Sequence, residues 1–357
     1  MHNLQIDLGN CVKVYSKHSS CTKCQDICPV SAINYNENIP EVNDGCIDCG
    51  GCIGTCPTEA ISLKNFDTLE FIFTHIESDE SLISCKKNIP CLATLSIENL
   101  ISLALLSNKT VLDTGHCLNC EIANPLAQEI QNNIHQANIF LENLESPKRI
   151  VAEDVHYEEV ITKEEPNRRD FLKKFSLKGA VKSKIEFEQI LEEEEKRGIT
   201  LEDSANMRQK SIPNKRKLLF MALKRVGNPE HYHTIEHDNI SFTSQKEIHN
   251  NCDNCSMCYR ICPTGALQSN KRNTKIEFDA LMCVKCSLCH DVCEPDAIQL
   301  RPYDTKMIFE PKVEELITFN IMRCDECANY FTYFGGEKTC PRCKIEEEEA
   351  KSLWGIQ

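Results

Sequence analysis

The spacing of its cysteines constrains this chain more than any other feature. There are 24 of them in 357 residues, and most fall in tight C-x2-C groups. Three runs share one spacing, C-x2-C-x2-C-x3-C: Cys46, Cys49, Cys52 and Cys56; Cys252, Cys255, Cys258 and Cys262; Cys283, Cys286, Cys289 and Cys293. A fourth run, Cys21-x2-Cys24-x3-Cys28, supplies the last three positions and has His18 at the first. Disulfide frameworks belong to short secreted chains, and no signal peptide is seen ahead of Cys11, so these thiols are expected to be metal ligands.

The runs sit inside a repeat. Cys28-Pro-Val-Ser-Ala-Ile33, Cys56-Pro-Thr-Glu-Ala-Ile61, Cys262-Pro-Thr-Gly-Ala-Leu267 and Cys293-Glu-Pro-Asp-Ala-Ile298 are four copies of one unit. They fall into two pairs, which sets two small domains at 1–64 and 246–304. A hydrophobic content of 41% suits several small modules better than one large core.

A cubane cluster needs a thiolate at each of four irons. C-x2-C-x2-C curls one loop round three of them, and a remote cysteine takes the fourth. On these runs, each followed by proline except where Glu294 displaces it, the chain resembles the bacterial dicluster ferredoxins. The resemblance implies that the fourth cysteine of each run ligates the other cluster of its domain. Carried over by position, it implies four [4Fe–4S] clusters. Cys28 joins Cys46, Cys49 and Cys52; Cys293 joins Cys252, Cys255 and Cys258; Cys262 joins Cys283, Cys286 and Cys289. Cys56 joins Cys21 and Cys24, which leaves one ligand to find.

Two residues compete for that place. Cys11 reaches it through a longer loop, at a closure cost that grows only logarithmically with length. His18 would bind by imidazole, as in Rieske centres. Cys11 is favoured because thiolate suits iron–sulfur chemistry better. Gly50 and Gly51, between ligands, are expected to let backbone N–H groups approach cluster sulfur.

Two further four-cysteine groups remain. Cys324-x2-Cys327-x12-Cys340-x2-Cys343 has the two facing knuckles that a tetrahedral metal requires. It resembles a zinc ribbon, and also the rubredoxin-like module of rubrerythrins, so Zn or Fe is expected, with Zn favoured because Ala328 stands where rubredoxin knuckles have glycine. Cys85, Cys91, Cys117 and Cys120 follow strand-like segments and precede apolar helical runs, which brings them toward one edge of an α/β module. Around them Leu69–Ile76 and Thr110–Leu112 read as strands, and Ser96–Leu106 and the stretch from Pro125 as helices. This layout resembles the delta subunit associated with heterodisulfide reductases and hydrogenases, which implies a [2Fe–2S] centre there; zinc is the alternative.

The fold expected is α+β: two ferredoxin-like 2x[4Fe–4S] domains (1–64 and 246–304), a small α/β insert (65–150), a charged helical linker (151–245) and a C-terminal zinc-ribbon or rubredoxin-like module (305–357). The linker lacks cysteine and carries dense charge, including Glu192–Glu195. Its clearest helix, Asn214–Val226, is expected to pack against the second ferredoxin domain and stops at Gly227-Asn228-Pro229. Asn167-Arg-Arg-Asp-Phe-Leu-Lys173 looks like a twin-arginine signal but lacks the apolar run that export needs. A similar stretch accompanies the clusters of ferredoxins that serve periplasmic nitrate reductase.

The formal charge of −14 argues against nucleic acid and favours docking to basic patches on redox enzymes. The most apolar stretch, Ile97–Leu106, is too short for a bilayer and holds Glu98, Asn99 and Ser102, so no membrane insertion is expected and the location is cytoplasmic. No G-x-G-x-x-G fingerprint appears, and no catalytic residues are assigned. The function expected is a polyferredoxin of anaerobic metabolism. It would relay single electrons to or from a redox enzyme of the formate dehydrogenase, hydrogenase, nitrate reductase or other molybdoenzyme type. The alternative is an assembly or maturation factor for a partner metalloenzyme.

Overall fold

A computed structural model describes residues 2–78, 80–155, 184–185, 187–189 and 210–354. Most of the span expected as a charged linker, with Glu192–Glu195 and the twin-arginine stretch, lies outside the described residues. The chain is a mixture of short helices and strands.

The fourfold repeat is a turn. In each copy the residue before the alanine has a positive φ: Ser31 (49°), Glu59 (53°), Gly265 (75°) and Asp296 (48°). This left-handed step swings the chain from a cysteine into a strand. It also turns the alanine N–H back on the sulfur in three copies, Ala32 to Cys28 at 3.2 Å, Ala60 to Cys56 at 3.3 Å and Ala297 to Cys293 at 3.3 Å. All four alanines are buried, so a larger side chain has no room.

The strands that follow build two copies of one plan. Leu4–Ile6 pairs antiparallel with Ile61–Leu63, and Ile33–Asn36 forms a hairpin with Ile39–Val42. In the second copy Gln245–Ile248 pairs with Ile298–Arg301, and Leu267–Ser269 with Lys275–Phe278. There Glu314–Thr318 adds a third strand past an irregularity at Ile276/Glu277. Two short helices recur in each copy, Lys23–Asp26 and Gly51–Thr55 in the first, Met257–Ile261 and Leu288–Asp291 in the second, and the first adds Val12–Tyr15 after Cys11.

Between them lies a parallel sheet, Leu82–Ile83, Thr110–Asp113 and Ile150–Glu153 in that order. The segment read as a strand at Leu69–Ile76 is instead a helix, Thr68–Glu77. Leu69, Ile72, Phe73 and Ile76 share one face at helical spacing, and the Asp67 carboxylate caps the start by accepting from Glu70 N–H. Helix Ile97–Leu106 opens on a capping box of Ser96 and Asn99. Helix Ala123–Asn143 follows, with a cis Asn124–Pro125 bond in its first turn.

Helix Asn214–Leu223 also departs from expectation. Its main packing partner is Ile97–Leu106 of the middle module, not the second ferredoxin-like unit. The C-terminal module, hairpin Ile321–Arg323/Tyr330–Thr332 and helix Pro341–Trp354, has its own core of only Cys324, Cys340 and Cys343 with Phe331 against them. Among the described residues no helix is long and apolar enough to cross a membrane.

Candidate metal centres

Four cavities of similar size hold four cysteines each. One of about 320 Å³ is lined by Cys28, Cys46, Cys49 and Cys52, and one of about 370 Å³ by Cys11, Cys21, Cys24 and Cys56. In the second copy, one of about 330 Å³ is lined by Cys262, Cys283, Cys286 and Cys289, and one of about 310 Å³ by Cys252, Cys255, Cys258 and Cys293. His18 lines none of these four and is exposed.

Helix geometry explains the crossing. Cys24 lies on Lys23–Asp26 and Cys28 two residues past its end, and Cys52 lies on Gly51–Thr55 with Cys56 as its C-cap, so each helix serves both cavities of its unit. Met257–Ile261 does the same with Cys258 and Cys262, and Leu288–Asp291 with Cys289 and Cys293.

Three of the loops carry a shared backbone signature. Residues before and after the second cysteine are left-handed in each: Asp48 and Gly50, Asn254 and Ser256, Lys285 and Ser287. Alternating right- and left-handed residues gather N–H groups into a concave anion site. Five of these six are not glycine, so the conformation carries strain that a packed environment must hold. The Cys11/Cys21/Cys24 loop has no such pair, consistent with its irregular spacing.

The cavities suit a group that brings cationic iron to thiolates. Burial pushes the thiols up, Cys24 to about 11 and Cys289 to about 12, with Cys52, Cys258 and Cys286 higher still. A buried thiol without a cation stays protonated, so ionising four around one cavity needs the metal's charge.

Side chains that spacing could not single out complete the walls. Tyr35 Oη lies 3.1 Å from Cys24 Sγ. Lys246, 2% exposed, lines the Cys262/Cys283/Cys286/Cys289 cavity with Nζ 2.8 Å from His290 Nε2. Burial opposes its charge, and Cys289, Cys283 and Cys286, as thiolates, outweigh that and hold its ammonium above the usual range.

The tetrad Cys324, Cys327, Cys340 and Cys343 is tighter. All four sulfurs lie within 4.8 Å of one another, with Cys324–Cys343 at 4.0 Å and Cys327–Cys340 at 3.7 Å. A tetrahedral ion with metal–sulfur bonds of about 2.3 Å sets sulfurs roughly 3.8 Å apart, so this tetrad fits a single metal ion. Backbone N–H groups of Cys327 and Cys340 lower the Cys324 thiol, while hydrogen bonds with Cys340 and Cys327 raise Cys343, so Cys324 is the first of the tetrad to supply the thiolate a metal needs. Ala328 holds φ +60°, the conformation glycine would take without strain.

Cys85, Cys91, Cys117 and Cys120 share a region without closing on a point. Among the described residues the C-terminal tetrad alone gathers three or more ligand-type side chains within 4.8 Å. Cys85 Sγ lies 2.8 Å from His116 Nε2, whose Nδ1 is 3.6 Å from the buried Asp113 carboxylate. His116 was not singled out in the sequence, although it directly precedes Cys117 and so sits beside a C-x2-C pair. Burial raises Cys117 to about 11 and Cys91 to about 12.

Gly50, Gly51 and Gly54 have a further role. The turn Leu92–Thr94, which directly follows Cys91, lies on them, and a β-carbon at Gly54 would collide with the Ala93 carbonyl. These glycines let the middle module seat on the Cys46–Cys56 loop.

Residues 251–297 match the model of the 4Fe-4S dicluster domain. A ferredoxin of Methanocaldococcus jannaschii, itself uncharacterised, is 29% identical over 94 residues, 26% of this chain and 55% of its own. A ferredoxin of Rickettsia felis is 34% identical over 64 residues, 16% of this chain and 59% of its own. One component of an ion-translocating oxidoreductase complex of Methanosarcina acetivorans is 40% identical over 45 residues, 12% of this chain and 17% of its own. The chain thus spans little more than half the length of the first two relatives. No solved structure matches. These similarities support a 4Fe–4S dicluster domain at 251–297 and a likeness to ferredoxins over part of the chain.

Proposed function

We propose that this chain is a polyferredoxin that relays single electrons to or from a partner oxidoreductase in the cytoplasm. The observation that carries the reading is the set of four cavities, each lined by four cysteines drawn crosswise from two runs. The residues proposed to hold [4Fe–4S] clusters are Cys11, Cys21, Cys24 and Cys56; Cys28, Cys46, Cys49 and Cys52; Cys252, Cys255, Cys258 and Cys293; and Cys262, Cys283, Cys286 and Cys289. When bound, such a cluster supplies a one-electron couple whose potential follows net charge, hydrogen bonds to sulfur and exposure.

The chain's part is to wrap and tune. Thiolates fix each site, the left-handed loops aim N–H groups inward, and apolar walls such as Ile33, Leu267 and Ile298 exclude water. For the C-terminal tetrad we propose structural zinc, supported by its spacing and by the lack of any other core in that module. For Cys85, Cys91, Cys117 and Cys120 we propose a [2Fe–2S] centre, which tolerates a looser ligand set than one ion does. The partner proposed is a redox enzyme of the hydrogenase, formate dehydrogenase or molybdoenzyme reductase type, approached through the chain's acidic charge.

Anaerobic purification with iron, sulfide and zinc counted per chain, followed by reductive titration under EPR, tests this. About 16 iron atoms are expected from four cubanes, and roughly two more from the middle module. Fewer than about 12 after careful reconstitution would sink it.

A further inference from the structure

We infer that the pair Lys215–Arg216 builds the electron crossing between the two dicluster units. It joins the Cys11/Cys21/Cys24/Cys56 cavity to the Cys262/Cys283/Cys286/Cys289 cavity and sets the four cluster sites and the middle module in one line. The inference rests on the cluster reading above.

The pair is charged and fully buried, at 4% and 2% exposure, and it contacts three parts of the molecule at once. Lys215 Nζ donates to the Cys56 carbonyl at 2.5 Å and lies 3.4 Å from Glu98 of the middle module. Arg216 Nε donates to Glu98 at 2.8 Å, its Nη1 to the Leu281 carbonyl at 2.9 Å and its Nη2 to the Phe242 carbonyl. Cys56 lines the first of the two cavities, and Leu281 lies two residues before Cys283, which lines the second. Glu59, in the turn after Cys56, accepts from the N–H groups of Asn214 and Lys215 and fixes the helix start.

Other contacts close the same seam. Ser20, next to Cys21, donates to the Asp291 carboxylate from its N–H at 2.9 Å and its hydroxyl at 2.8 Å. Lys23 and Pro57 line the first cavity, Val284 lines the second, and all three meet again around a polar pocket of about 400 Å³ that also takes in Lys215 and Glu98. A buried arginine without its carboxylate is strongly unfavourable, so Glu98 and Arg216 hold the units in one arrangement.

The outer steps follow from contacts already described. Beyond the first unit, the turn after Cys91 lies on the Cys49–Cys52 loop. Beyond the second, Asn254, which lines the Cys252/Cys255/Cys258/Cys293 cavity, donates to Thr332 Oγ1 at 2.9 Å, beside the Phe331 that packs on the C-terminal tetrad. The line therefore runs from the middle module through the first unit, across Lys215–Arg216 and through the second unit; the C-terminal module, proposed to hold zinc, touches its far end and carries no electron. With clusters held there, one electron would pass from one to the other, oxidising the first by one and reducing the second by one. No proton or ligand moves. Lys215 and Arg216 are positioning residues in this step.

The test uses the full-length reconstituted protein. One equivalent of dithionite-derived electrons is added, and their redistribution is followed by freeze-quench EPR at several protein concentrations, so that the intramolecular rate is separated from exchange between molecules. The fully reduced protein then reports magnetic interaction between sites. Arg216→Ala is expected to keep its iron and the interactions within each unit. It should lose the interaction between units and redistribute electrons at least tenfold more slowly. Ser20→Ala with Asp291→Asn loosens the same seam from its exposed rim, and several-fold slowing is expected even if Arg216→Ala fails to fold. Wild-type redistribution rates and coupling in iron-replete variants would overturn the crossing. An iron count far below about 12 in the wild type would instead overturn the cluster reading itself.

Discussion

Thr94 Oγ1 donates a 3.3 Å hydrogen bond to the carbonyl of Cys49, which ties the middle module to the centre of a cysteine loop. That approach is possible because Gly50, Gly51 and Gly54 have no side chains to block it. Gly54→Ala would drive a β-carbon into the Ala93 backbone, which cannot move aside as a flexible side chain would. The expected cost exceeds about 2 kcal/mol. Limited proteolysis should show the 65–150 module released while the 246–304 unit stays protected.

Cys11 and His18 make opposite predictions. Cys11 lines a cavity with Cys21, Cys24 and Cys56, whereas His18 is exposed and lines none of the four. Cys11→Ser is expected to lower the iron count by about four, from about 18 toward about 14, and to remove one EPR component. His18→Ala should change neither. An unchanged count in Cys11→Ser with a loss in His18→Ala would reverse the assignment.

What the sequence carried was local. The spacing of Cys46, Cys49 and Cys52, and the repeated turn after Cys28, Cys56, Cys262 and Cys293, depend on residues a few positions apart, so a pattern search finds them. Leu69–Ile76 reads as a strand because apolar β-branched and aromatic residues favour strand locally, while the Asp67 cap and a helical face toward the core make it a helix. Arg216 was illegible for a different reason. Its partners Glu98, Phe242 and Leu281 come from three distant segments, and a basic residue in a charged stretch ordinarily reads as solvated.

The C-terminal tetrad should behave as a staple. Its module has no core beyond three cysteines and Phe331, so without the metal little holds hairpin Ile321–Arg323/Tyr330–Thr332 to helix Pro341–Trp354. Cys343→Ser, or a chelator that spares the clusters, is expected to remove one zinc per chain and to abolish amide protection across 321–354. Iron content and the reductive titration should be unaffected, because the module adds no wall to the four cavities.

His75 sets a pH limit on the middle module. It is buried at 4% exposure, its Nε2 has no partner among the described residues, and burial pushes its imidazole below the usual range. The unfolded chain takes up a proton near its ordinary value of about 6.5, and the folded one resists until lower pH. Stability is therefore complete above that value and declines as pH falls from it toward the depressed folded value. Protection factors of Thr68–Glu77, corrected for the intrinsic exchange rate at each pH, should fall as pH drops below about 6.5, and His75→Leu should flatten that dependence. An equally steep dependence in His75→Leu would assign the effect elsewhere.

Lys246 offers a charge whose effect can be read as a potential. Its buried ammonium faces Cys283, Cys286 and Cys289, and adding an electron to that site makes the thiolate cage more negative. A nearby positive charge favours the reduced form. Lys246→Met keeps most of the stem and removes the charge, so the site is expected to become harder to reduce by on the order of 40 mV, equivalent to about 1 kcal/mol for one electron. Lys271→Met, at an exposed position, should leave every potential in place. EPR-monitored titration of both variants decides it: a shift in Lys246→Met confined to one of the four couples identifies that couple with the Cys262/Cys283/Cys286/Cys289 set, and no shift at all would mean that Lys246 does not set this potential.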